Sequence, residues 1–75
     1  MKKNFIIAKF LKQNRKRAKL TQVQLSKLSG VGIRFVKELE SGKPTVRVDK
    51  VNQVLKLFNH VLAPISVKNI NRDPK

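Results

Sequence analysis

Wound as a helix, the run IRFVKELE places Ile33, Arg34, Lys37 and Glu38 on one face and turns Val36 and Leu39 to the other. Two cations, a carboxylate and a branched aliphatic side chain on one surface suit recognition by charge, hydrogen bonds and methyl contact, and a short helix carrying them is of the kind that enters a DNA major groove. Bond-breaking chemistry lacks its parts. His60 is the only histidine, and no Ser, Cys or second acid is placed to build a nucleophile and base around it. There is no cysteine, so neither a disulfide framework nor a thiolate metal site can form, and one His with 4 acidic residues cannot assemble a ligand cluster. The expectation is a protein that is not an enzyme and has no metal or cofactor.

The remaining charge points the same way. Lys and Arg number 18 against 4 Asp and Glu, a formal charge of +14. Self-repulsion of that size opposes a compact state unless a polyanion screens it, and nucleic acid is the expected polyanion. An anionic membrane is the weaker fit, because the apolar stripe near the start of the chain covers only about two turns and a globular core must follow it. No apolar run approaches the roughly 20 residues of a membrane span, and the opening MKKNFIIAKF is too short in its apolar part for a secretory signal and lacks a cleavage site. A cytosolic location is expected. At 75 residues the chain makes one domain near the lower size at which a core can carry a fold alone, so a dimer is expected.

The elements that must position these groups follow in order. Ile6, Ile7, Phe10 and Leu11 recur at helical spacing in a first helix over residues 4–20, whose second half is mostly cationic; eight Lys or Arg fall between Lys2 and Lys19. Thr21 with Gln24 three residues later is a capping box, so a second helix begins there with Leu25 and Leu28 on its buried face. Ser26 is small enough for the next helix to cross it closely. Gly30 stands where the chain reverses, which requires positive φ. Gly32 caps a third helix with Val36 and Leu39 inside, and Gly42 ends it. Phe35 either extends the core, the commoner fate of a large aromatic at this spacing, or faces the duplex edge. Pro44 makes residues 43–47 a loop. Val48, Val51, Val54, Leu55 and Phe58 make a fourth helix with Asp49 in its first turn, closed by Asn59 and His60. The segment VLAPISV, with Val61, Leu62, Ile65 and Val67, is short, apolar and β-branched and is expected to be a strand; Pro64 restricts it to an edge, and a two-fold related copy is its natural partner. Residues 68–75 are expected to be a flexible tail.

The stretch LTQVQLSKLSGVGIRFVKELESGKP resembles the lambda-repressor-like helix-turn-helix family, which includes phage repressors, Cro and the xenobiotic-response-element type regulators. The resemblance spans roughly residues 4–59 and rests on LTQxxL, a small residue, Gly, Val and LExGK in combination. The continuation GKPTVRVDKVNQVLKLFN followed by a strand looks more narrowly like HipB-type antitoxins, whose partner is a HipA-like serine/threonine kinase toxin. It implies an all-α fold, a compact four- to five-helix lambda-repressor-like domain over residues 1–60, with a C-terminal strand over residues 61–67 paired across a dimer. Family members often have Ala in place of Ser26 and polar residues in place of Gly32, Ile33 and Phe35.

By position, the resemblance assigns Gly32, Ile33, Arg34, Lys37 and Glu38 to base reading: arginine suits guanine O6 and N7, glutamate accepts from cytosine N4, and Ile33 suits a thymine methyl. It assigns Thr21 and Gln22, at the positive end of the second helix, to the phosphate backbone, together with Lys43 and Arg47. Arg15 and Glu40 match positions that pair the first helix with the end of the third. The function implied is a homodimeric repressor on a palindromic operator in double-stranded DNA, the antitoxin of a toxin–antitoxin module. A stand-alone phage-type repressor and a module acting mainly to restrain the kinase are the alternatives. No small-molecule substrate and no membrane partner is expected.

Overall fold

Most of the described helix ends are closed by local hydrogen bonds. The computed structural model describes residues 5–64, which form α1 (Phe5–Arg17), α2 (Gln22–Ser29), α3 (Ile33–Glu40), α4 (Val48–Leu55) and a 3₁₀ turn (Lys56–Phe58). At the start of α2, Thr21 has extended backbone and its Oγ1 accepts from the Gln24 N–H at 3.0 Å, while Gln24 Oε1 accepts from the Thr21 N–H at 2.8 Å. Two otherwise orphaned donors are satisfied reciprocally. Three C-terminal ends share one device: Lys19, Gly42 and Asn59 adopt left-handed backbone with φ of 60°, 86° and 60°. In each case the next N–H reaches back, Leu20 to Arg15 O, Lys43 to Glu38 O and His60 to Leu55 O, at 3.0 to 3.1 Å. This six-residue closure satisfies carbonyls that the helix leaves open.

The core is aliphatic. Leu11, Leu25, Val31, Val36, Leu39, Val51, Val54 and Leu55 form one buried cluster, with Ile7, Phe10, Leu20, Phe35, Val46, Phe58 and Leu62 packed at its rim. α3 packs against both α1 and α2, and α4 against α2, so the short α3 is held from two sides. Because α3 has only two turns, its orientation is set by this packing more than by its own propensity.

Three expectations are corrected. Leu28 is 61% exposed; the buried face of α2 is set by Leu25 and by Ser29 one turn later, and Leu28 is rotated away from both. Ile6 is 81% exposed, because α1 turns Ala8 and Leu11 inward and Ile6 lies on the far side of the helix from Ala8. The fourth helix ends at Leu55 and tightens into the 3₁₀ turn instead of running on as α-helix to Phe58. Residues 61–64 have no strand pairing among the described residues, and the rest of the expected strand, including Ile65 and Val67, lies outside them.

Candidate nucleic-acid interface

The turn between α2 and α3 is stapled from several directions. Gly30 has φ +82°, and its N–H donates to Ser26 O. Ser26 Oγ donates to Val31 O at 2.6 Å, Ser29 Oγ to Leu25 O at 2.8 Å, and Gln53 Nε2 of α4 to Ser29 O at 2.7 Å. A side chain at position 30 would be strained by its backbone and would also put its Cβ 2.9 Å from Gln53 Nε2. Ser29 and Gln53 carried no sequence signal: Ser29 bonds a carbonyl one turn back in its own helix, and Gln53 reaches its carbonyl from α4. The result is a fixed angle between α2 and α3.

The outward face of α3 is open. The Arg34 side chain is 92% exposed, and its Nε lies 3.7 Å from Glu38 Oε2 one turn on; Lys43 Nζ approaches the same oxygen at 3.4 Å. Exposed pairs of this kind contribute only about 0.3 to 0.5 kcal/mol, so Arg34 can exchange Glu38 for a base edge at little cost. Lys37 is exposed and Ile33 half-buried beside them, and nothing lies within 4 Å of a Cβ built on Gly32. The five residues assigned to base reading therefore share the N-terminal and outer surface of one helix. Phe35 packs at the rim of the core, and Lys50 of α4 sits over its ring with Nζ 5.9 Å from the centroid.

Arg15 and Glu40 make a bidentate pair, Nε to Oε2 at 2.6 Å and Nη2 to Oε1 at 3.1 Å, with the Glu40 side chain 2% exposed. Arg15 also donates through Nη1 to Leu20 O at 2.8 Å. Gln22, assigned to the DNA backbone, donates through Nε2 to Glu40 Oε1 at 3.1 Å. One buried carboxylate thus ties together α1, the start of α2 and the end of α3. The Gln22 amide keeps a second N–H for another acceptor, and the Thr21 hydroxyl, which accepts within its capping box, keeps its proton to donate. In the loop before α4, Arg47 clasps Asp49 through Nε at 3.2 Å and Nη2 at 2.7 Å, and this hydrogen bond holds the Asp49 carboxyl below its ordinary pKa.

At the opposite end, Val61 is exposed and Leu62 half-buried, its N–H donating to Asn52 Oδ1 at 2.6 Å. They border an apolar groove of about 170 Å³ with Ile6, Phe10 and His60, where the Phe10 and His60 rings meet edge-on at 4.6 Å. Among the described residues no group of three or more His, Asp or Glu is placed to hold a metal ion, and no helix is long and apolar enough to cross a membrane.

A capped helix, a glycine turn of fixed angle and a second short helix with an open polar face define a helix-turn-helix domain, the class of DNA-binding transcriptional regulators. A family model described as Helix-turn-helix matches residues 11–61, and the chain belongs to that family. It is similar to an uncharacterized HTH-type transcriptional regulator, y4mF, of Sinorhizobium fredii (strain NBRC 101917 / NGR234), with 45% identity over 53 residues, covering 67% of this chain and 70% of the relative.

Proposed function

We propose that the protein is a sequence-specific repressor that binds a palindromic operator as a homodimer, with α3 in the major groove and Thr21, Gln22, Lys43 and Arg47 on the phosphates. The observation that carries this reading is the outer face of α3, where Arg34, Lys37 and Glu38 stand clear of the core on a helix fixed by the turn. The exposed Ile6 and Val61 around the apolar groove support a two-fold interface that includes residues 61–67, because apolar surface beside a segment whose sequence favours a strand is what a second copy would cover. The protein is not an enzyme, and its place is the cytoplasm. Selection of bound duplexes from a random pool tests the reading. An enriched two-fold symmetric sequence with half-sites about one helical turn apart is expected, and a pool without enrichment would contradict it.

The narrower role is that of the antitoxin of a HipBA-like module, repressing its own operon and associating with a serine/threonine kinase toxin. What supports it is the run from Gly42 to Asn59 and the apolar segment that follows. Co-purification with a kinase-like neighbouring gene product is expected; with no such neighbour, the stand-alone repressor is the better account.

A further inference from the structure

We propose that the cleft between α1 and the end of α3 is a second contact site for the phosphodiester backbone, extending the DNA footprint beyond the helix-turn-helix. This rests on the DNA-binding reading above. The cleft measures about 620 Å³; Lys9, Lys12 and Gln13 of α1 form one wall, and Glu40 and Ser41 the other. Lys9 and Lys12 are three residues apart, which puts both ammonium groups on one helix face.

Charge decides what the cleft can hold. No acidic residue occurs from position 5 to position 37, so nothing on α1 or α2 offsets the lysines. The described acids are already engaged, Glu38 with Arg34 and Lys43, Glu40 with Arg15, and Asp49 with Arg47, and among the described residues no ion pair involves Lys9 or Lys12. Glu40 lines the cleft, but its two oxygens are taken by Arg15 and Gln22. An anion entering there meets two uncompensated ammonium groups and an amide. Position decides which anion. Glu40 lines the cleft and its buried carboxylate also holds the Gln22 amide at the start of α2, so the cleft and the phosphate position at the head of α2 are built on one residue. The walls are open to solvent and the lysines are flexible point charges, which suits a passing strand better than a small ligand that needs fixed donors.

The test uses the full chain, a Lys9→Gln/Lys12→Gln variant, and a charge-matched Lys27→Gln/Lys56→Gln control drawn from exposed lysines of α2 and the 3₁₀ turn. Circular dichroism confirms that both variants fold. Binding to a duplex of about four helical turns is then titrated across salt. The cleft variant is expected to lower the slope of log K against log salt by about 2, roughly 0.9 per phosphate contact, with the control changing it by less than half as much. Equal changes in the two variants, or none in the cleft variant, overturn the cleft while leaving steep binding by the parent intact. A parent that binds no duplex overturns the DNA-binding reading itself, and the cleft proposal with it.

Discussion

Glu40 is the residue on which most of the local geometry converges. Its buried carboxylate takes hydrogen bonds from Arg15 and Gln22, so removing it strands a guanidinium that is itself mostly buried. Breaking one partner of such a pair costs about 3 to 5 kcal/mol, a large share of the stability of a domain this small. Glu40→Ala is therefore expected to lower the melting temperature by well over 10 °C, while any folded fraction keeps its base preference. An unchanged melting temperature would remove the structural role. Gly30→Ala should lose about 1 to 2 kcal/mol from left-handed backbone alone, and more from the contact with Gln53, as read by urea denaturation. The pairing of Arg15 with Glu40 was legible only through family position, and the bond from Gln22 to Glu40 was not legible at all. Residues 18 apart meet only because α2 and α3 cross as they do. Gln53 was missed for the same reason: a side chain bonding a distant carbonyl leaves no periodic trace.

Among the elements, helix starts and stops were the most legible features, because caps are local chemistry. Thr21 with Gln24, Gly30 and Gly42 all act within a few residues of themselves. Lys19 gave no such signal, since a lysine in left-handed backbone looks like any other cation in a basic run. Its φ of 60° carries a penalty of roughly 1 to 2 kcal/mol that glycine avoids. Lys19→Gly should accordingly raise the melting temperature by a few degrees, which differential scanning calorimetry would detect; a drop would mean that the lysine side chain contributes more than its backbone loses. Faces of helices were half legible. The inner residues of α3 were read correctly, Val36 and Leu39 both being fully buried, because the helix is strongly two-sided. On α1 and α2, Ile6 and Leu28 were misplaced because apolar residues there run around more than one face, and which of them turns inward depends on the neighbouring helix.

At the scale of the whole molecule, charge and frame combine. A cationic shell whose described acids are all engaged surrounds an aliphatic core, and α3, with its open polar outer face, is held by packing on two sides. The class of protein was legible from this combination, since a helix-turn-helix spacing in a chain of +14 leaves few other partners. Which bases are read was not, because Gly32 and Ile33 offer no hydrogen-bonding side chain to match against a base. The claim that α3 reads DNA is tested most directly by comparing Arg34→Ala and Lys43→Ala on the selected operator and on random duplex. Arg34→Ala should cost about 1 to 3 kcal/mol on the operator and relax preference at one position, whereas Lys43→Ala should weaken both duplexes alike. Equal losses on operator and random DNA from both substitutions would show that α3 does not read the bases.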